Sequence, residues 1–328
     1  MIPDFSVVIP TYQQPALLLK CLDALGQQRF PRDQYEIIVV DDGNSPETAA
    51  AVALFTKQIA QSGGPLEVRY LGQPQSRGPA AARNRGWRAA RGRIVAFTDE
   101  DCLPQPAWLA NALTSFQRGA QVVTGQVRLT LPDEITAYNA KSSYLEMSEF
   151  ISANCFCRKS ALDRVGGFEE AFDFAWREDN DLQFKFIQAG IPIIKCPEAV
   201  VVHPMREMPW YAPLTNERKN RYDALLYKRH PDLFRQRIAM DRSLILEYYA
   251  SVLGVSVGFL GALIGSTMAA AMGFGVWSVL TINMLVNQMP DKVTSTNLRQ
   301  TILTTLATPF LAVYWRLYGA VKYRVLYW

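Results

Sequence analysis

Between Glu247 and Asp291 this chain carries no charged residue. Few folds tolerate such a run, because a helix that is apolar all round belongs in a core or a bilayer. One crossing of a bilayer takes about 20 apolar residues, so the run has room for two helices, with a turn in the region 265–275. A helical hairpin buried in a soluble protein is the competing reading. Basic residues flank the run, Arg235, Arg237 and Arg242 before it and Lys292 and Arg299 after it. The positive-inside rule puts both ends in the cytoplasm, which two spans allow and one does not. The later run 300–315 is shorter and contains Pro309, and a third span would export Arg316, Lys322 and Arg324. With Tyr314, Trp315, Tyr318, Tyr323, Tyr327 and Trp328, residues 300–328 read as an amphipathic segment lying at the membrane interface. The expectation is a membrane-attached region over 236–328, with two spans inside 244–290 and lipid as a partner.

The part ahead of this region alternates strand and helix patterns. Apolar runs at 5–9, 36–40, 66–71 and 93–97 read as buried strands, and 15–25, 47–60 and 79–90 read as helices. Strand, helix, strand at these spacings predicts a doubly wound, largely parallel α/β sheet over 1–235. No G-x-G-x-x-G follows the first strand, which disfavours a dinucleotide-binding oxidoreductase. Further on, 121–129, 191–194 and 199–202 read as strands, Cys155 and Cys157 as buried strand positions, and a helix runs from the acidic cluster at 178–181 to Gly190. A net charge of +4 is too small to imply nucleic acid as a partner. Five cysteines without C-x-x-C spacing argue against a zinc site or a disulfide framework and suit a reducing compartment. The first residues carry no basic segment followed by an apolar one, so no signal peptide is expected.

The segment Asp99-Glu100-Asp101 follows the fourth strand. Ligands of open α/β sheets sit just beyond the carboxyl ends of such strands. Clustered carboxylates repel one another there unless a cation or hydrogen-bond donors compensate them, and a hard divalent cation carrying phosphates would do so. Taken alone, such a pair is as readily a solvated acidic loop. The cluster Glu178-Asp179-Asn180-Asp181 opens a helix, where acids are also favoured simply by the helix dipole.

The ordered set Val8-Ile9-Pro10-Thr11-Tyr12, Val40-Asp41-Asp42-Gly43, Arg83-Asn84-Arg85-Gly86, Asp99-Glu100-Asp101, Gly166-Gly167-Phe168-Glu169-Glu170, Glu178-Asp179-x-Asp181-Leu182 and His203 resembles family 2 glycosyltransferases of the GT-A fold. The match covers about residues 3–235. The resemblance implies a mixed, mostly parallel sheet flanked by helices. It also implies an inverting, metal-dependent transfer of a hexose-type sugar from a nucleotide-diphosphate donor to a glycan or lipid-linked acceptor, in cell-surface polysaccharide or glycolipid synthesis. Pro10, Thr11, Tyr12 and Asp41 would meet the nucleotide, Arg83 the diphosphate or the Asp-x-Asp carboxylates, and Asp99 the ribose or a metal-bound water. Asp101, with His203, would hold Mg2+ or Mn2+, and Glu100 would point away. Asp179, beside Glu178, would take the acceptor proton, while Trp176 and Asp181 would border the acceptor. The Q-x-x-R-W element of processive members is lacking, so a single-sugar transfer is expected. A polyprenyl-phosphate sugar synthase is the nearest alternative, and a non-catalytic membrane scaffold a more distant one. Localisation to the cell (inner) membrane, with the catalytic part on the cytoplasmic side, completes the expectation.

Overall fold

The computed structural model describes residues 2–62, 64–130, 144–205, 209–289 and 295–327. Each strand expected in the first hundred residues forms: β1 (Phe5–Thr11), β2 (Tyr35–Asp41), β3 (Glu67–Gly72) and β4 (Ile94–Thr98). They lie parallel in the order β3-β2-β1-β4. The helices between them, α1 (Pro15–Gly26), α2 (Pro46–Gln61) and α3 (Pro79–Ala89), all open on proline. A helix start leaves that N–H without an intrahelical partner anyway, and the ring presets φ. Every residue of β1, β2 and β4 is buried, which is why these strands read as continuous apolar runs rather than alternating ones. The pleat still sorts their side chains: Val7 and Ile9 join Phe55, Trp108 and Phe156 on one face, while Val8 joins Trp87, Phe97, Phe168 and Phe186 on the other.

Beyond β4 the sheet turns mixed. Strand β7 (Asn154–Arg158) pairs antiparallel with β4 and with β6 (Val122–Thr130), and β8 (Ile193–Pro204) runs parallel to β6 with β5 (Leu103–Pro104) on its far edge. The two strands expected at 191–194 and 199–202 are one strand, β8. Its register against β6 jumps between Gly125 and Gln126, so that Cys196 and Val200 face consecutive residues of β6. Pro197 lies inside the resulting bulge, where a residue without an N–H interrupts no ladder bond. Helices α4 (Trp108–Gln117), α5 (Lys159–Val165) and α6 (Glu178–Gln188) complete this unit.

The register brings the motifs together. Thr11 pairs with Asp41, Val8 pairs with Phe97, and the parallel strands therefore deliver their following loops to one end of the sheet. Leu103 pairs antiparallel with Val202, which sets His203 beside the turn that precedes β5.

The described residues divide into this sheet unit, ending at Met205, and a helical unit starting beyond it. The division falls earlier than the expected 235, because 209–237 group with the C-terminal helices. The helical unit contains α7 (Arg221–Arg229), α8 (Pro231–Arg237), α9 (Arg242–Leu263), α10 (Thr267–Asn287) and α11 (Ser295–Tyr323). The turn between α9 and α10 sits at the start of the expected range: Gly265 has φ +75°, and the Ser266 hydroxyl caps α10 by accepting from the Ala269 N–H. Glycines let the two helices meet backbone to backbone, and a Cβ on Gly273 would lie 2.3 Å from the Gly258 nitrogen. Both helices are long and apolar enough to cross a membrane, and Leu253, Leu260, Leu263, Met268, Val279 and Ile282 stand exposed on their outer faces. The last segment is one continuous helix, α11, with Pro309 inside it. Thr305, Thr308, Ala312, Val313 and Arg316 are buried on one side of it, so this face packs within the unit rather than lying free. Lys292 and Trp328, used above for topology and for the interface, lie outside the described residues.

Candidate active site

The turn after β4 is closed by the Cys102 N–H donating to the Asp99 carbonyl at 3.1 Å, and it fans three carboxylates apart. Asp99 Oδ1 accepts from Arg83 Nη2 at 2.6 Å. Glu100 does not point away: its Oε2 accepts from the Thr11 hydroxyl and, at 3.1 Å, from the Tyr12 N–H, tying the turn to the end of β1. Asp101, largely buried, faces His203, with 3.7 Å between Oδ1 and Nε2. The orientation follows from a tight turn at a strand end, where successive side chains cannot alternate as they do in the pleat.

Asp101 and His203 suit a cation. His203 Nδ1 lies 3.2 Å from the Pro204 carbonyl, which can only accept, so Nδ1 carries a proton. In the neutral ring Nε2 then presents its lone pair toward the Asp101 carboxylate, a repulsive pairing unless a proton or a metal ion lies between them. Oxygen and imidazole nitrogen ligands of one ion bound at roughly 2.1 Å each come within about 3–4 Å of one another, which the observed spacing meets. Cys102 also falls within 4.8 Å of this pair. Burial, with the carboxylates of Asp99 and Asp101, pushes its thiol well above the ordinary value, so it stays a neutral, poor ligand.

The acidic pair after β2 is arranged differently. Asp41 is 0% exposed and accepts from the Gly43 N–H at 2.9 Å, the Ser45 N–H at 2.7 Å and the Tyr70 hydroxyl at 2.8 Å. Burial and then this bond to Asp41 raise the Tyr70 phenol above its usual range. Asp42, 6% exposed, accepts from Gln73 Nε2, the Ser76 hydroxyl, and the N–H groups of Arg77 and Gly78 at 2.6–2.9 Å. Asp41 therefore anchors the β2–α2 loop with its carboxylate turned inward, at the position the resemblance expected to meet the nucleotide, and Asp42 shapes the loop that enters α3. Of Pro10, Thr11 and Tyr12, only Tyr12 is exposed, at 48%. Residue type alone missed Asp42 as an organiser, although it stands in the same Asp-Asp-Gly motif.

The element Arg83-Asn84-Arg85-Gly86 has its roles divided along α3. Gly86 permits close packing on β1, since a Cβ would lie 2.3 Å from Val8 Cγ1. Asn84 donates to the Phe168 carbonyl and to Glu170 Oε1, and accepts from Phe168 N–H and Trp87 Nε1, all within 2.9 Å. Arg83, 2% exposed, reaches across to Asp99 and also to Glu178 Oε1, 3.2 Å from Nη1, with Phe168 5.6 Å from its guanidinium carbon. Burial opposes its charge, and Asp99 and Glu178 more than restore it. No hydrogen bond is formed by the buried Arg83 Nε or Glu178 Oε2 among the described residues.

Glu178 and Asp179 open α6 behind Arg177, a non-glycine residue at φ +74°. A left-handed residue at a helix entry stores backbone strain of the kind that collects at functional sites. Burial, reinforced by Asp179 and opposed by Arg83, pushes the Glu178 carboxyl up to about 8. Burial also raises Asp179, which accepts from the Asn180 N–H at 2.8 Å. Asp181, expected to border the acceptor, is fully buried, and its carboxylate lies 3.1 Å from Lys185 Nζ, which braces α6. The Trp176 ring has the Arg177 guanidinium 4.9 Å from its centroid, which covers one face of the indole expected to meet an acceptor.

With this geometry in view, comparison with known proteins is specific. A family model described as glycosyl transferase family 2 matches residues 6–169. Glycosyltransferase AglE of Haloferax volcanii is 30% identical over 219 residues, which cover 62% of this chain and 68% of that protein. The pre-mycofactocin glycosyltransferase of Mycobacterium tuberculosis is 29% identical over 305 residues, 85% of this chain and 60% of that protein's length. Among solved structures, mannosyltransferase PcManGT from Pyrobaculum calidifontis, in complex with GDP-Man and Mn2+, aligns with a TM-score of 0.57 at 19% identity, across 99% of this chain and 88% of that one, a likeness of fold.

Proposed function

The chain belongs to glycosyl transferase family 2 and has the GT-A fold, and on that premise we propose that it transfers a single sugar, with inversion, from a nucleotide-diphosphate sugar to a hydroxyl of a glycan or lipid-linked acceptor. The observation that carries this reading is the pairing of two acidic groups through one buried guanidinium: Arg83 touches both Asp99 and Glu178. Inversion is an in-line displacement at the anomeric carbon. It needs a base at the acceptor hydroxyl and positive charge at the departing diphosphate.

Asp179 serves as that base. Its raised proton affinity brings it nearer the operating pH than a solvated aspartate, and the neighbouring Glu178 is held by Arg83, which leaves Asp179 to meet the acceptor. Asp101 and His203 would hold Mg2+ or Mn2+, which when bound neutralises charge on the leaving diphosphate. Arg83 holds Asp99 in place on the donor side, and Tyr12 offers an exposed ring at the nucleotide side. A base of this kind fits a hydroxyl acceptor better than the phosphate oxygen used by a polyprenyl-phosphate sugar synthase, which needs little help losing a proton. The apolar helices α9 and α10, free of charge beyond Glu247, attach the protein to the cell membrane, with both flanks on the cytoplasmic side.

The test is a panel of nucleotide sugars with Mn2+ or Mg2+, GDP-Man included because the mannosyltransferase of like fold is complexed with it. Asp179→Asn should lower transfer about 100- to 10,000-fold while nucleotide binding persists. Undiminished transfer by that variant would remove Asp179 as the base.

A further inference from the structure

The buried contact between the donor-side turn and the base helix has a consequence for the order of events. Arg83 stands against three carboxylates here, Asp99 from the β4 turn and Glu178 and Asp179 from α6, and Arg177 adds its charge at Asp179. Its shorter bond, 2.6 Å, goes to Asp99, and its longer one, 3.2 Å, to Glu178. One oxygen of Glu178 and one nitrogen of Arg83 remain buried without a hydrogen bond among the described residues, so this pairing has room to improve. A fully satisfied guanidinium–carboxylate fork would use both.

We propose that Arg83 couples occupancy of the Asp99–Asp101 turn by a divalent cation to ionisation of the Glu178–Asp179 pair, so that the base helix becomes charged once the donor side is loaded. Cation charge at the turn offsets Asp99, and the Arg83 charge is then available to Glu178. The Glu178 proton leaves for solvent, and the carboxylate formed pairs with Arg83. Burial, reinforced by Asp179, holds that proton on Glu178 beforehand, at an affinity of about 8. The groups facing Glu178 are Arg83 from α3, Asp99 from the β4 turn, and Asp179 of its own helix. Farther along α6, Asp181 is paired with Lys185. Glu178 and Arg83 are positioning residues here, since each acts through another group. The inference rests on the reading of Asp101 and His203 as cation ligands.

The experiment is titration calorimetry of the full chain with Mn2+ at pH 7, in buffers of different ionisation enthalpy, which counts protons released per ion bound. Wild type should release close to one proton more than Glu178→Gln, and its Mn2+ affinity should rise toward tenfold per pH unit between about pH 6 and 8. Glu178→Gln should bind Mn2+ while losing that proton and that slope. Arg83→Lys, which keeps the charge but not the fork, should retain Mn2+ binding and release clearly less than wild type. If Arg83→Lys melts early, Glu178→Gln decides alone, as a near-isosteric change. Mn2+ binding with the same proton release in wild type and Glu178→Gln would overturn the coupling and leave the metal site standing. No Mn2+ binding by wild type would overturn the metal site and the coupling together.

Discussion

Two acidic loops stand at the ends of the strands that flank β1, and they use their carboxylates in opposite ways. At the end of β2, Asp41 and Asp42 face inward and accept from seven donors, six in the adjoining loops and one, Tyr70, on β3. After β4, Asp99, Glu100 and Asp101 diverge, to Arg83, to the end of β1 and to His203. A carboxylate surrounded by N–H groups builds a loop. One facing an imidazole lone pair suits a cation. The same residue type at equivalent places in the sheet thus divides into scaffold and chemistry according to what its turn places around it.

The largest expected break in this comparison is Asp42→Ala. It leaves Gln73, Ser76, Arg77 and Gly78 without their acceptor, and denaturant unfolding should show a loss of about 3–5 kcal/mol. A loss below about 1 kcal/mol would mean that loop 73–78 does not depend on Asp42. Next comes the pH dependence of stability. Glu178 titrates near 8 in the folded chain against an ordinary 4.5, so the folded state holds the proton more tightly than the unfolded one. Its contribution is complete below about pH 4.5 and is lost as pH rises through 8. Glu178→Gln should flatten that decline, a difference on the order of 2–4 kcal/mol between the ends of the window. Parallel stability–pH curves for the two proteins would contradict the buried, protonated Glu178. The smallest effect belongs to Tyr70→Phe, which removes one of three donors to Asp41 and should cost about 0.5–1.5 kcal/mol. Thermal melts resolve it, and a change several times larger would give Tyr70 a role beyond Asp41.

Much of this was legible in the sequence. The buried strands of the first half show themselves because they are apolar on both faces, and the charge-free run after Glu247 divides into α9 and α10 with Gly265 at the turn. The motifs named Asp101, His203, Arg83, Glu178 and Asp179, and strand register brings their loops to one end of the sheet. What sequence could not convey is side-chain direction at a strand end. Glu100 turns toward Thr11, Asp41 turns inward and Asp181 is sealed beneath Lys185. Each outcome depends on turn closure or on a neighbour far away in the chain. The continuity of β8 was equally hidden, because Pro197 ends a local strand pattern while the pairing with β6 carries the strand across the bulge.

The central claim is that the turn after β4, with His203, holds the cation and the loop after β2 does not. Calorimetric Mn2+ titration of wild type, Asp101→Asn and Asp42→Asn tests it most directly, with each variant first shown to melt as a folded protein. Asp101→Asn should weaken Mn2+ binding about 100-fold or more, while Asp42→Asn leaves it within about threefold. Equal Mn2+ affinity in wild type and Asp101→Asn would contradict the claim.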